Sequence, residues 1–379
     1  MRQRSKTYRE ERLSRLKLTC LVASVTALLT CSATTHAQTS SFFSGKQLTI
    51  LVNFTAGGPT DTEARIVSRH IAKHIAGRPT VVVRNMGGAG GAIGANWLGQ
   101  IAAPDGLTLS LFTGMALPSA MGDTSVKVDL TKMPFVAAGP SIGGVVFART
   151  DTGGGLKSSR DLLKLNEFWA GGLSAESSKD IAMRMQLDLL GVKYKYLTGF
   201  AGTNELRHAL EIGEIHLINE TLSAYKALIQ PGMVARGEAI PLWYQPVDKG
   251  QGLTTSPEAA DTNALPYHEY YRQLTGVDPS GPIWDGYRFI NKLTSTFQRL
   301  FLMPPGSPPE AVAILQAAMV SLQKDQEFLT ESMDILKFEP QYDADDQTAE
   351  LFRASLNTDP KVKAFVRDFI EKSKMSAKR

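Results

Sequence analysis

The sequence predicts an α/β protein of two lobes, each a mainly parallel sheet flanked by helices. Three observations carry that prediction. Strand and helix patterns alternate along the chain, the connections between them are short, and a glycine-rich stretch at residues 139–155 separates one such series from a second. With 379 residues, 43% of them hydrophobic and 21% charged, the chain is long enough for two domains and too apolar to be disordered.

The first series opens at residues 47–53, which alternate and are rich in β-formers. Residues 54–60 contain Gly57, Gly58 and Pro59, which break both the strand and the helix period. Ala64, Val67, Ile71 and Ile75 then recur at spacings of three and four, one helical face for which Thr60 or Asp61 is the expected cap. Val81-Val82-Val83 reads as a buried strand, residues 85–91 as a glycine-rich turn, and Ala92, Ala95 and Ile101 as a second helix before the strand at 107–112. The second series has a helix through Ile181, Met185 and Leu189, a strand at 193–198, a helix through Leu206, Ala209 and Leu210, and a strand at 215–219. Residues 246–300 are rich in Gly, Pro and Thr with interspersed aromatics, and no element is assigned there. Ser307 with Pro308 is the expected start of a helix through Val312, Leu315, Met319 and Leu322; Phe365 and Phe369 mark the last helix, and the terminal lysines read as a frayed tail.

The formal charge of +4 is concentrated at the start. Residues 1–17 carry seven basic and two acidic side chains, residues 18–30 are largely apolar, and Thr35 and Ala37 occupy the −3 and −1 places of a small-residue cleavage site. These features read as a secretory signal peptide of residues 1–37, cleaved near Ala37. A lipidated Cys31 is the alternative, with Thr30 a poor residue to precede it. Without residues 1–37, 34 basic and 35 acidic residues remain, and both cysteines, Cys20 and Cys31, are gone. That balance excludes disulfides, thiolate chemistry and the basic clustering that nucleic acid requires. No cofactor is expected.

Two glycine-rich loops, each between a strand and a helix, carry most of the functional signal. Both present backbone N–H groups at the positive end of a helix dipole, which favours a carboxylate or phosphate. The candidate ligand-binding residues are Thr55, Ala56, Gly57, Gly58, Thr60 and Asp61 in the first loop, and Gly88, Ala89, Gly90, Gly91 and Ala92 in the second. The second loop spells G-x-G-x-x-x-G, one residue longer than the dinucleotide fingerprint, and no phosphate-binding G-x-x-x-x-G-K-[ST] occurs. Residues 172–176 approach a hydrolase elbow around Ser174, but Glu176 stands where the turn needs glycine. His70 and His74 have metal-ligand spacing, yet Lys73 lies between them and a solvated helix face is the preferred reading.

Residues 50–61 with Ala64-Arg65, residues 82–94 and residues 103–109 resemble successive motifs of the tripartite tricarboxylate transporter substrate-binding proteins, the Bug receptors. Weaker similarity runs through residues 202–217 and 303–310. The resemblance implies a type II periplasmic-binding-protein-like fold, non-enzymatic and monomeric, exported to the periplasm. It also implies a small carboxylate held by backbone amides and water between the lobes, and delivery to membrane permease subunits. It adds Thr113, Gly114 and Ser174 to the expected pocket wall. On that reading residues 45–140 plus 241–379 form lobe 1 and residues 141–240 lobe 2, hinged near 139–144 and 238–242. The chain departs from the family at Thr55-Ala56, at Met86-Gly87 and in residues 170–177, where Glu176 is expected to repel a second carboxylate if it faces the cleft. The aromatic segment 246–300 is an enlargement, expected to pack on the first lobe and not to cover the cleft. The competing readings are an exported serine hydrolase using Ser174 with a distant histidine such as His208, and a sensory or interaction protein on the same fold.

Overall fold

The computed structural model describes residues 42–139, 143–200, 202–248 and 252–376. Residues 1–37, expected to be a signal peptide, and both cysteines lie outside the described residues. The first sheet has the order β2-β1-β3-β13-β4, built from β1 (Gln47–Val52), β2 (Thr80–Asn85), β3 (Thr108–Thr113), β4 (Phe135–Ala138) and β13 (Arg299–Leu302). The second has the order β12-β9-β5-β8-β6-β7, built from β5 (Gly144–Arg149), β6 (Phe168–Gly171), β7 (Tyr194–Leu197), β8 (Leu217–Thr221), β9 (Ala239–Tyr244) and β12 (Leu265–Pro266). A small hairpin, β10 (Val247–Asp248) with β11 (Leu253–Thr254), stands apart.

In each sheet one strand runs against the others: β13 against β3 and β4, and β5 against β8 and β9. These are the strands the chain enters on each change of sheet. The hinge expected at 238–242 falls instead within β9, which is held to β5 by ladder pairs from Ala239 to Tyr244, so that backbone is not free to bend.

The helix after β1 is α1 (Pro59–Ile71), and its apolar face, Ala64, Val67 and Ile71, is fully buried as the spacing predicts. Neither Thr60 nor Asp61 caps it. Gly58 is the cap and Pro59 takes the first helical place, where its missing N–H costs nothing. The following helices are α2 (Ala92–Gln100), α3 (Ala116–Met121), α4 (Ser178–Leu189) and α5 (Thr203–Glu211). The helix expected at Ser307 and Pro308 begins one residue later, as α8 (Pro309–Leu322), because Ser307 turns its hydroxyl back to the Pro304 carbonyl.

Residues 246–300 do form regular structure: α6 (Tyr267–Thr275) and α7 (Pro282–Asn291) follow β12. Tyr267, Tyr270 and Tyr287 are buried around Trp243, with ring centroids 5.0–5.4 Å apart along the cluster. The segment's helices pack against α4 of the second sheet and not on the first lobe as expected, because the tyrosines close on the buried Trp243 of β9: the Tyr267 hydroxyl donates to the Gln186 carbonyl at 2.7 Å, beside Trp243 Nε1, which donates to Gln186 Oε1 at 2.8 Å. The chain closes with α9 (Gln326–Leu336), α10 (Asp346–Leu356) and α11 (Pro360–Ser376).

Candidate functional site

The carboxyl ends of β1, β3, β6 and β8 converge between the two sheets, the position where open α/β folds place ligands. Asn53, directly after β1, is buried and binds Thr113 twice: its Nδ2 donates to the Thr113 carbonyl, and the Thr113 amide donates to its Oδ1, both at 3.0 Å. This side-chain pair prolongs the β1–β3 ladder and locks the two loops together. The Thr60 and Thr113 hydroxyls lie 2.8 Å apart and add a second tie.

Asp61 turns back into its own loop. Its Oδ2 accepts the Gly57 amide at 2.8 Å and Arg65 Nε at 2.9 Å. The Arg65 guanidinium holds its carboxyl below the usual carboxylate range, outweighing burial. An internal carboxylate therefore already takes the Gly57 amide. Thr55 and Ala56 are exposed beside it, and Gly58 is half-buried.

The second glycine loop serves a different end. Gly91 has a φ of +98°, and a Cβ there would lie 2.2 Å from Asn53 Nδ2, so glycine is needed for α2 to start against Asn53. Gly91 and Ala92 are buried, whereas Gly88, Ala89 and Gly90 are exposed. The close backbone approach read as ligand binding is here an approach to the protein's own Asn53.

Across the cleft, Asp180 in the first turn of α4 does for the second sheet what Asp61 does for the first. Its Oδ2 accepts the amides of Leu173 at 2.7 Å and Ser174 at 3.1 Å. Burial pushes its carboxyl up, although those amides pull it down. Gly172 admits no side chain, since a Cβ would meet the Tyr196 hydroxyl at 2.2 Å. The Ser174 hydroxyl accepts the Ser177 amide at 3.0 Å, and Tyr196 donates to the Ser174 carbonyl at 3.2 Å. Ser174 is thus a turn residue. His208 is exposed and lies 4.0 Å from Glu211.

Three adjoining cavities occupy the cleft. One of about 140 Å³ is lined by Gly114, Leu117, Glu176, Ser178, Thr294 and Gln298. A smaller one shares Ser178, Thr294 and Gln298 with it and adds Lys179, Asn219 and Thr221. A third, of about 360 Å³, reaches from Thr221 and Ser223 to Gly57, Thr62 and Arg299. Of the sequence candidates, Gly57 and Gly114 line these cavities; the second loop, Thr55, Ala56 and Ser174 do not.

Glu176 does face the cleft, but it is ion-paired with Lys374 of α11. Arg299 is compensated likewise by buried Glu63 at 2.7 Å, whose other oxygen accepts the Tyr342 hydroxyl at 3.0 Å. Burial raises the Glu63 carboxyl, with Arg299 opposing. Thr294, Gln298, Arg299 and Lys374 were not foreseen as site residues. They lie in the segment without sequence period and in the supposed tail, where the helix through Phe365 and Phe369 runs on to Ser376. His70 and His74 face Glu331 and Asp325 of α9 at 2.6 and 2.8 Å, part of an ion-pair network that includes Lys73. These histidines fasten α1 to α9.

A TctC solute-binding protein from Polaromonas superposes with a TM-score of 0.61, covering 86% of this chain and 99% of its own at 20% identity. The fold is that of the tricarboxylate-transporter solute-binding proteins. MatC from Rhodopseudomonas palustris with bound malate superposes at 0.52 over 88% of this chain and 99% of its own, at 19% identity. An R. palustris protein with adipate superposes at 0.51 over 88% of this chain and 97% of its own, at 17% identity. Among curated sequences, a UPF0065 protein of Agrobacterium vitis is 42% identical over 76 residues, 20% of this chain, and one of Cupriavidus necator is 36% identical over 89 residues, 24% of this chain. The chain spans only 21% and 26% of the length of those relatives in these matches. No family model matches the chain. The two-lobed fold and the Bug resemblance read from residues 50–109 are borne out by these likenesses.

Proposed function

We propose that the protein is an extracytoplasmic solute-binding receptor. It captures a small carboxylate between the two sheets and hands it to permease subunits of a tripartite tricarboxylate-type transporter. The observation that carries this reading is the meeting of Gly57 and Gly114 from one sheet with Ser178 and Thr221 from the other around adjoining cavities. Neighbours of the same fold hold malate and adipate, which supports the ligand class.

The chemistry of recognition is local. With Glu176 and Arg299 already paired, amides and hydroxyls at loop and helix starts bind the anion, beside Lys337 in the wall of the largest of the three cleft cavities. Micromolar affinity requires about −8 kcal/mol, within reach of several charge-assisted hydrogen bonds in a closed site. The Glu176–Lys374 pair removes the repulsion expected from Glu176, so a second carboxylate is tolerated near α11. Export by residues 1–37 and hinge motion at 139–144 belong to the same proposal.

A thermal-shift screen over mono-, di- and tricarboxylates tests it, because a ligand of the folded state alone raises Tm. Malate, adipate or a close relative is expected to raise Tm in a concentration-dependent way. Silence across the whole panel counts against a carboxylate receptor.

A further inference from the structure

We propose a second ligand site, outside the cleft, that takes a planar aromatic carboxylate. It is a groove of about 980 Å³ along β7, an edge strand of the second sheet, and it shares no lining residue with the cleft cavities.

At its base is Arg184 of α4, which is only 4% exposed. The guanidinium carbon lies 4.7 Å from the Tyr196 ring centroid and 5.2 Å from that of Phe369 in α11. Aromatic faces stabilise its charge but accept none of its N–H hydrogens in the planar fork geometry that carboxylates match. Its Nη1 has no hydrogen-bond partner among the described residues. Beside the Tyr194 hydroxyl and the Asp188 carboxylate, which attracts its charge, the guanidinium thus keeps one buried donor without an acceptor, in the lining of an open groove.

The other walls define the ligand. On the Arg184 face of the sheet Tyr194, Tyr196 and Phe369 provide aromatic surface for a planar ring, whereas Trp169, paired in register with Lys195, lies on the other face. The two acidic side chains in the groove are engaged: Glu167 pairs with Lys195 at 2.8 Å, and Asp188 accepts the Tyr194 hydroxyl at 2.9 Å. Lys193 at the rim adds positive charge. An anion with an aromatic ring satisfies both the donor and the walls, whereas an amine satisfies neither the donor nor the charge. Tyr196 connects the groove to the cleft loop, since its ring covers Arg184 and its hydroxyl holds the Ser174 carbonyl.

The probe is benzoate, titrated calorimetrically into the full chain, with cyclohexanecarboxylate and benzylamine as controls. Benzoate is expected to bind wild type, more tightly than cyclohexanecarboxylate, and benzylamine not at all. Arg184→Met is expected to weaken benzoate about tenfold or more, the loss of a charge-assisted hydrogen bond. If Arg184→Met does not fold, the partly exposed Phe369→Leu decides, with the same direction of effect. Absence of benzoate binding to wild type, binding unchanged in these variants, or binding lost instead in the cleft variant Thr221→Val overturns the site. Retention of the thermal shift by cleft carboxylates in Arg184→Met keeps this test independent of the receptor reading.

Discussion

Two carboxylates, Asp61 and Asp180, shape the cleft from opposite sheets, and their surroundings give them opposite titration behaviour. Asp61 is held low by Arg65, so its stabilising contribution is present above the ordinary aspartate range and is lost only as pH falls through its depressed value. Asp180 is pushed up by burial, so the folded state binds more protons than the unfolded one. Its contribution is complete below the unfolded value of about 3.9 and declines as pH rises through the raised folded value. Asp180→Asn removes that decline. Urea unfolding of wild type and variant from pH 3 to 7 is expected to show a stability difference that shifts in favour of the variant as pH rises. Parallel pH profiles contradict the burial-dominated state of Asp180.

At the scale of elements, the segment that sequence patterning left blank is the one that joins the structure most tightly. Tyr267, Tyr270 and Tyr287 surround Trp243, while Gln186, Gln245 and Tyr287 close a buried hydrogen-bond network in which Tyr287 donates to Gln245 Oε1 at 2.8 Å. Trp243→Ala removes the ring that Tyr267 and Tyr270 pack on and one of the two donors to Gln186 Oε1, at an expected cost of about 3–5 kcal/mol. Chemical denaturation measures this directly; a loss below about 1 kcal/mol contradicts a structural role for the cluster. The first sheet was legible because its apolar residues keep a period, as in Ala64, Val67 and Ile71 of α1. Helix α7 was not, because Gly286 interrupts its pattern and its partners, α4 and α11, lie about a hundred residues before it and about eighty after it. The same reasoning separates the two glycine loops. Glycine marks a close backbone approach, but sequence does not say to what, and Gly91 approaches Asn53.

On the scale of the whole molecule, helix α11 bridges the sheets. Arg367 donates to the Met121 carbonyl at the end of α3 at 3.3 Å, Phe369 covers Arg184 of α4, and Lys374 meets Glu176 at the cleft. The cleft and the groove along β7 thus share one helix, which gives a physical route by which lobe closure and groove occupancy affect each other. The core itself is continuous between the sheets: Leu51 and Phe112 of the first sheet belong to the same buried cluster as Val146 and Trp243 of the second. On the proposed reading, capture between the lobes draws on the loops at the strand ends together with motion at 139–144 and adjustment of α11. Backbone amide hydrogen exchange, with and without a saturating carboxylate found by thermal shift, tests this most directly. Slowed exchange is predicted at Gly57 and Gly114 on one side and at Glu176 and Ser178 on the other, on both sides of the cleft together. Bound carboxylate that leaves these amides unchanged, or that protects one sheet alone, contradicts capture between the lobes.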